Sequence, residues 1–354
     1  MTNKNEPLVS IVTPMYNEAR YIRECVESIL SQTYQNWDYS IIDNCSTDDS
    51  AEIAHQYAAY DSRIRVYQNE QHVRAVPNQN NALRRISPQS KYCKIVFADD
   101  WIFPECLQQM VAVAEEHPTI GIVGAYGLEG SELMWTGLTY PSHIVSGREI
   151  CRRLFLEDLY VFGTGTSLLF RADRVRNHDP FYNEGNLHAD SETCCALLKT
   201  CDFGFVHQVL TFTRVRPATL TAFARDLNTL LTGKLTDLVT HGRDYLTPEE
   251  FELCLRRRLR EYYKFLAHNA VRRRNRSFWE YHRRKLTELG LGFDRLRLAT
   301  ALGIKVAGAA LNPKLTIERQ LEKLGFGAAP PSHLDSARGR RHAGSMRELG
   351  LRNE

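Results

Sequence analysis

The sequence predicts an α/β fold: a doubly wound mixed sheet with helices on both faces, followed by a helical C-terminal extension. Two observations support this class. Between residues 8 and 126, apolar β-branched runs alternate with segments whose apolar residues recur at helical spacing. From about residue 227 to 324 the pattern is helical throughout. Because alternating strands and helices build a largely parallel sheet covered on both faces, the first half of the chain should form that sheet.

The first half is predicted to contain five strands with helices between them. The strands are 9–13, 37–42, 64–67, 92–97 and 120–126. The helices are about 21–30, a segment carrying Ile53 and Tyr57 with N-cap candidates between 46 and 50, then 77–86 and 104–116. Each strand is short and apolar enough to be buried within a sheet.

The second half has a looser pattern. A capping box from Ser146 to Glu149 should open a helix that reaches Leu159. A strand at 167–170, a helix at 190–198 and a strand at 205–216 follow. The predicted regions are therefore an α/β domain over 1–226, a basic helical region over 227–324 and a tail over 325–354. The tail has little to bury, which predicts disorder.

Composition predicts a cytoplasmic globular protein. The chain has 354 residues, 43% of them hydrophobic and 25% charged, and its net charge of +3 is too small to indicate a partner. The best candidate for a membrane span, 298–311, is short and carries Lys305, and residues 1–6 lack the apolar core of a signal peptide. Nine cysteines without CxxC or Cys/His ligand spacing predict free thiols in a reducing compartment.

Polar stretches follow three of the predicted strands, at 14–18, 43–50 and 97–100. In an open α/β sheet, ligands bind outside the carboxyl ends of the strands, so these stretches should share one crevice. The neighbouring Asp99 and Asp100 offer hard oxygen ligands for a divalent ion bridging to phosphate. The pattern predicts a nucleotide-activated substrate. The alternative is that the two acids only cap the helix that begins near Pro104.

In this order and spacing, the three motifs resemble those of the family 2 inverting glycosyltransferases of GT-A fold, over roughly residues 7–220. The resemblance implies a metal-dependent enzyme that uses Mg²⁺ or Mn²⁺ to move a sugar, of hexosyltransferase type, from a nucleotide-sugar donor. The acceptor would be a hydroxyl of a glycan or lipid-linked molecule, in the synthesis of cell-envelope polysaccharide. The mixed second half would then be the acceptor side.

The resemblance also implies roles for single residues. Asp99 would approach the donor ribose or sugar, and Asp100 would hold the metal. Tyr16 would stack on the nucleobase, and Asn44 stands where many relatives carry an acid that reads uracil, so a pyrimidine nucleotide is favoured; Asp43 is also plausible as the polar contact. The predicted donor-binding residues are Pro14, Tyr16, Asn17, Glu18, Asp43, Asn44, Asn78, Asp99 and Arg214.

The general base is predicted at the start of the helix near residue 190. Asp190 matches the position of the family's catalytic aspartate, and Glu192 is its competitor; a first-turn acid favoured by the helix dipole is the structural alternative. Further along, Arg214 and Arg216 resemble a segment that closes over the diphosphate. Because they alternate along the predicted strand, at most one should reach the site.

Basic and aromatic residues are interleaved in the helical region between Arg256 and Lys285. This pattern fits an anionic membrane surface, which would place the protein at the inner face of the membrane, or a solvated helical face; nucleic acid is less favoured.

Two alternatives to the glycosyltransferase interpretation stay open. A nucleotidylyltransferase should have a Gly-rich basic loop where residues 14–18 have neither glycine nor lysine. A basic nucleic-acid-binding protein with a degenerate fold should bind without metal or sugar nucleotide.

Overall fold

The computed structural model describes residues 6–216, 229–271 and 274–311. The chain divides into two compact units. The larger unit takes in the described residues of 1–262 and 273–293, and the smaller unit takes in those of 263–272 and 294–354. All the predicted site residues belong to the larger unit.

A mixed sheet of ten strands forms the centre of the larger unit. Its strands are β1 (Val9–Met15), β2 (Trp37–Asp43), β3 (Ile64–Gln68), β4 (Tyr92–Ile95), β5 (Trp101–Ile102), β6 (Ile120–Glu129), β7 (Glu132–Met134), β8 (Ile144–Val145), β9 (Leu169–Arg171) and β10 (Asp202–Thr213). Their order is β3-β2-β1-β4-β9-β6-β10-β5, with β7 beside β6 and β8 beside β10.

The strand directions confirm a doubly wound mixed sheet. Strand β1 runs parallel to β2 and β4, β2 runs parallel to β3, and β6 runs parallel to β10. The short strands β5, β7, β8 and β9 pair antiparallel. The carboxyl ends of β1, β2 and β4 consequently meet at one edge, where the polar stretches lie.

Helices cover both faces of the sheet. They are α1 (Ile22–Leu30), α2 (Ser50–Tyr60), α3 (Ala75–Leu83), α4 (Cys106–Glu116), α5 (Gly147–Glu157), α6 (Ala172–Arg176) and α7 (Ala189–Leu197). Side chains of β1 alternate between two cores: Val9 and Ile11 pack with residues of α1, α2 and α4, whereas Val12 packs with residues of α3, α5 and α7. The capping box also forms in part, since Ser146 Oγ accepts the Glu149 N–H at 3.2 Å.

Some boundaries differ from the predicted ones. The strand predicted at 92–97 ends at Ile95, because the Phe97 N–H donates to Thr166 Oγ1 (3.1 Å) instead of to a neighbouring strand. The strand predicted at 167–170 begins at Leu169, after a short 3₁₀ turn, and strands β5, β7 and β8 were not predicted at all. The strand predicted at 205–216 begins earlier and ends at Thr213, which matters for the site.

The helical C-terminal region is present. It contains α8 (Thr229–Tyr245), α9 (Pro248–Val271), α10 (Arg276–Glu288) and α11 (Arg295–Leu311). Residues 312–324 of the predicted helical region and the predicted disordered tail 325–354 lie outside the described residues. Within the smaller unit, the Asp294 N–H donates to the Tyr263 hydroxyl at 2.6 Å.

All nine cysteines are unpaired, as predicted, and eight of them are buried. In the described ranges, no helix is both long enough and apolar enough to cross a bilayer.

Candidate active site

A cavity of about 550 Å³ opens at the carboxyl edge of β1, β2 and β4. Every predicted site residue except Asp43 lines it: Pro14, Tyr16, Asn17, Glu18, Asn44, Asn78, Asp99, Asp100, Asp190 and Arg214. These side chains come from the ends of the first strands, from α3, from α7 and from the segment after β10. The fold therefore brings together residues that lie up to two hundred positions apart in the sequence.

Asp43 does not reach the cavity. It is buried, and both its carboxylate oxygens accept the Ser46 N–H, at 3.2 and 3.3 Å. Cys45, inside the same turn, has a left-handed backbone with φ of 61°. Asp43 thus stabilises the turn after β2 in place of the predicted contact with a ligand.

Asn44 lines the cavity, but most of its amide is already engaged. Its Nδ2 donates to the Val73 carbonyl at 2.7 Å, and its Oδ1 accepts the Val73 N–H at 3.0 Å. Asn69 Nδ2 donates to the same Oδ1 at 2.9 Å. Asn44 therefore holds the segment around Val73 in place and keeps one amide hydrogen for a ligand.

The Asn44 side chain belongs to a network of neutral amides. Asn69 also donates to Asn78 Oδ1 at 2.8 Å, and Asn81 Nδ2 donates to Asn69 Oδ1 at 3.1 Å. The network ties the end of β2 to α3 through neutral amides, and Arg84 donates to its outer member, Asn81, at 2.9 Å. Asn44 and Asn78 form part of one wall of the cavity.

Two aromatic rings stand at this wall. Tyr16 is 43% exposed, and its ring lies 4.5 Å from that of His72, tilted by 58°. Both residues line the cavity. His72 was not predicted, because nothing in the sequence distinguishes it from an ordinary surface histidine. A half-exposed tyrosine beside it presents a face on which a base can stack.

Asp100, the second acid of the Asp99–Asp100 pair, is buried, and hydrogen bonds hold its carboxylate in place. Its Oδ2 accepts the Thr166 hydroxyl at 2.7 Å, and its Oδ1 accepts the Arg214 N–H at 3.0 Å. Burial, together with the charge of the neighbouring Asp99, raises the pKa of Asp100 to about 7. Thr166 lies far from Asp100 in the sequence and was not predicted.

Both arginines of the segment after β10 line the cavity, so the prediction that at most one could reach it is wrong. The strand ends at Thr213, and the backbone beyond it no longer alternates. Arg214 Nε donates to the Asp99 carbonyl at 3.0 Å. Arg216 binds Glu18 through two bonds of 2.7 and 3.0 Å and reaches Asp99 Oδ2 at 2.6 Å.

Asp190 lies in the first turn of α7 and contributes a carboxylate from the second half of the chain. The residue is partly exposed, whereas its Oδ1 is buried and has no hydrogen-bond partner of normal geometry in the described part of the chain. Burial raises the pKa of Asp190 to about 6. No hydrogen bond links its side chain to the N–H groups of α7, so among the described residues it does not act as a helix cap.

Glu192, the competitor of Asp190, points elsewhere. It accepts hydrogen bonds from Asn183 Nδ2 at 3.0 Å and from Asn186 Nδ2 at 2.7 Å. It lines a separate groove instead of the large cavity. The geometry therefore favours Asp190 over Glu192 as the group that meets a ligand there.

The next question is whether the side chains of Asp99 and Asp100 suit a divalent ion. Within the residues that the structure describes, no group of three or more Asp, Glu, His or Cys side chains could hold a metal. Asp99 and Asp100 do supply adjacent carboxylates whose mutual repulsion a cation would offset. Mg²⁺ is commonly held by one or two carboxylates, with water and substrate phosphates as its other ligands. The pair fits Mg²⁺ or Mn²⁺ bound together with a diphosphate.

Comparisons with known proteins identify the class and then the family. Solved structures share the fold: S. aureus TarS 1–349 in complex with UDP-GlcNAc has a TM-score of 0.61 at 17% identity, over 83% of this chain and 87% of that one. The mannosyltransferase PcManGT from Pyrobaculum calidifontis, in complex with GDP-Man and Mn²⁺, has a TM-score of 0.53 at 16% identity, over 91% and 85%. The fold is that of the GT-A glycosyltransferases.

Residues 10–176 match the family model described as "Glycosyl transferase family 2". The chain is 31% identical over 192 residues to the Bacillus subtilis (strain 168) protein named "Putative glycosyltransferase EpsE". The aligned region covers 51% of this chain and 68% of that protein. The chain belongs to glycosyl transferase family 2 and is an inverting glycosyltransferase. The predicted resemblance and the predicted enzyme class are thereby confirmed.

Proposed function

We propose that the large cavity binds a nucleotide sugar and that Asp190 accepts a proton from the acceptor hydroxyl. The observation that carries this proposal is the meeting, in one cavity, of Asp190 with the acid pair and the two arginines. The donor-side groups follow β1, β4 and β10, whereas Asp190 comes from α7. An inverting transfer needs such a separation, because the nucleophile and the leaving group occupy different faces of the sugar.

The donor would lie with its base against Tyr16 and His72 and its diphosphate towards Arg214 and Arg216. Guanidinium groups are suited to phosphate because they bind two oxygens at once. We propose a pyrimidine nucleotide, because the amide hydrogen that Asn44 keeps beside these rings can donate to a carbonyl oxygen of a pyrimidine base. The UDP-GlcNAc bound to TarS supports this preference, and the GDP-Man bound to PcManGT supports the alternative.

Asp100, with Asp99, would hold Mg²⁺ or Mn²⁺ at the diphosphate. When bound, such an ion neutralises charge that develops on the leaving diphosphate. The Mn²⁺ in the PcManGT complex supports this assignment. Arg216, which contacts both Glu18 and Asp99, would keep the acid motif oriented towards the diphosphate.

In the proposed reaction, the acceptor oxygen forms a bond to the anomeric carbon while the bond to the diphosphate oxygen breaks. The bonding electrons leave with the diphosphate, and the transition state has oxocarbenium character, as in other glycosyl transfers. Asp190 takes the hydroxyl proton. A pKa of about 6 leaves this carboxylate ionised at neutral pH and makes it a stronger base than an ordinary aspartate.

The acceptor is proposed to be a glycan or lipid-linked hydroxyl of a cell-envelope polysaccharide, handled by a cytoplasmic enzyme at the inner face of the membrane. In the helical region, Arg256 and Arg260 are exposed on α9, whereas Arg257 donates to the Phe155 and Leu156 carbonyls. Arg272 and Arg273, part of the predicted basic run, lie outside the described residues. Changing Arg256 and Arg260 to Gln should weaken co-sedimentation with anionic vesicles at low salt; unchanged co-sedimentation would favour a solvated face.

A thermal-shift screen of the whole chain tests the proposed donor chemistry. UDP-sugars and GDP-sugars are compared with and without Mn²⁺ or Mg²⁺, at concentrations far above their dissociation constants. A bound ligand at about a hundredfold excess over its dissociation constant stabilises a protein by about 2.7 kcal/mol, enough for a clear rise in melting temperature. A metal-dependent rise with a UDP-sugar supports the proposal, and no rise with any nucleotide sugar contradicts it.

A further inference from the structure

Two buried polar atoms, the Tyr182 hydroxyl and Asp190 Oδ1, lack hydrogen-bond partners of normal geometry among the described residues. The whole Tyr182 side chain is fully buried. The two groups nevertheless interact, since the phenol of Tyr182 opposes the rise in the pKa of Asp190 that burial causes. Buried polar groups are rarely left unpaired, so this pair calls for an explanation.

The position of Tyr182 is fixed from the donor half of the chain. Asn80 on α3 is buried; its Oδ1 accepts the Tyr182 N–H at 2.8 Å and its Nδ2 donates to the Tyr182 carbonyl at 2.9 Å. The Phe181 ring lies 4.9 Å from the Tyr182 ring. Held at its backbone and packed at its ring, Tyr182 presents its hydroxyl in one direction.

We propose that Tyr182 is the positioning residue for Asp190: its hydroxyl donates to Asp190 Oδ1 and leaves the rest of the carboxylate directed at the acceptor hydroxyl. The inference rests on the proposed role of Asp190 as base. Burial raises the pKa of Tyr182 well above the usual value, so its hydroxyl keeps its proton, and towards an ionised carboxylate, which can only accept, it donates. The proton of the acceptor goes to Asp190, and Tyr182 keeps its own.

Two other described groups that interact electrostatically with Asp190, Tyr160 and Cys194, keep their protons at neutral pH. Tyr160 and Cys194 both have pKa values raised well above normal by burial. Asp237 on α8, which acts on Tyr160, has its pKa raised to about 7 by burial. The hydrogen bond from Tyr182 lowers the pKa of Asp190 and so favours its ionised form.

The chain contains a matched control for the Tyr182 hydroxyl. Tyr160 is half-buried and close enough to sense the charge of Asp190, but its hydroxyl donates to the Gly163 carbonyl at 3.0 Å. Tyr182→Phe and Tyr160→Phe thus remove the same atom from two tyrosine rings near the same carboxylate. Only the first should change how Asp190 titrates.

The test is the pH dependence of kcat/KM. A base works only when ionised, so activity falls as the pH drops through the pKa of Asp190. Loss of the donated hydrogen bond raises that pKa, and the acidic limb of Tyr182→Phe should move up by about one pH unit. At pH values above this fall, the kcat/KM of Tyr182→Phe should stay near the parental value. The acidic limb of Tyr160→Phe should lie at the same pH as that of the parent.

Several outcomes would overturn the inference. An unmoved limb in folded Tyr182→Phe, an equal shift in Tyr160→Phe, or a uniform loss at every pH would each do so. If Tyr182→Phe does not fold, Asn80→Ala replaces it, because it releases the Tyr182 backbone. The acidic limb of Asn80→Ala should move in the same direction by a smaller amount, and an unmoved limb would overturn the inference. A fully active Asp190→Asn would instead overturn the proposed base, which keeps the two failures distinct.

Discussion

Asp100 and Asp190 are two acids of one cavity with opposite surroundings. Each oxygen of Asp100 has a partner, the Thr166 hydroxyl and the Arg214 N–H, whereas Asp190 Oδ1 has none of normal geometry in the described residues. Burial raises the pKa of both, but Asp100 also feels the charge of Asp99. A carboxylate held from both sides suits a fixed ligand, and a less constrained one suits proton transfer. The difference supports the proposed roles, ligand binding for Asp100 and proton transfer for Asp190.

The largest expected effect concerns Asp190. Asp190→Asn keeps the size of the side chain but cannot take a proton, so turnover should fall by about 10²–10⁴-fold while donor affinity changes little. Initial rates at saturating donor measure turnover, and calorimetry measures donor affinity. Glu192→Gln, which alters the neighbouring acid outside the cavity, should be milder. A dead Glu192 variant or a fully active Asp190 variant would reverse the assignment.

The second effect concerns Asp100. Asp100→Asn should remove the metal-dependent part of the affinity for a nucleoside diphosphate, roughly a 10–100-fold weakening, because it withdraws a charged ligand. Calorimetry with and without Mn²⁺ measures that part directly. Asp179→Asn, at an exposed acid outside the cavity, serves as control. Metal-dependent affinity that survives in a folded Asp100 variant would show that the two acids do not differ as proposed.

The third effect lies at the wall of the cavity that carries Tyr16 and His72. Tyr16→Ala should weaken UDP binding by about tenfold, since stacking on one aromatic ring contributes about 1–3 kcal/mol per base. Tyr60→Ala, which removes a tyrosine that is 84% exposed and outside the cavity, should leave binding unchanged. GDP bound as tightly as UDP by the parent would contradict the pyrimidine preference.

The smallest effect concerns stability. Asp237 on α8 is buried, with a folded-state pKa of about 7 against an ordinary value near 4. Between these values the folded protein holds a proton that the unfolded chain has lost, so stability should fall as the pH rises through this window. Asp237→Asn should therefore raise the melting temperature at pH 8 by roughly 3 °C. It should have little effect at pH 4.

The control for this prediction is Asp244→Asn on the same helix, which breaks the ion pair with Lys199 (2.6 Å) at the surface. It should lower stability slightly at pH 8, since surface ion pairs contribute about 0–1 kcal/mol. If both variants shift the melting temperature alike at both pH values, burial of the Asp237 charge is not the cause.

The sequence predicts the donor side of the cavity better than the acceptor side. Strand ends and the polar residues after them are local features, and parallel strands must bring their ends to one edge, so Tyr16, Asn44 and Asp99 could be placed together. Thr166 and Tyr182 reach the acids only through tertiary contacts, such as the bonds from Asn80 to Tyr182 across 102 residues. No periodicity marks such contacts in advance.

The incorrect prediction about Arg214 and Arg216 has a related cause. Alternation places side chains only while the strand lasts, and the apolar pattern of β10 does not show that pairing stops at Thr213. Asp43 and Asn44 illustrate the same limit: both are polar and follow β2, yet only Asn44 lines the cavity. Which of two neighbouring residues lines the cavity depends on the turn. Here the Ser46 N–H donates to the Asp43 carboxylate and holds it within the turn.

The network of neutral amides through Asn44, Asn69, Asn78 and Asn81 has a consequence for how the cavity responds to its solvent. Amides neither titrate nor attract counterions, whereas interactions between exposed charges are screened over about 8 Å at physiological ionic strength. The two ends of a bound nucleotide should therefore respond differently to added salt. Nucleoside without phosphates should bind with an affinity that salt hardly changes, and each added phosphate should make binding more sensitive to it.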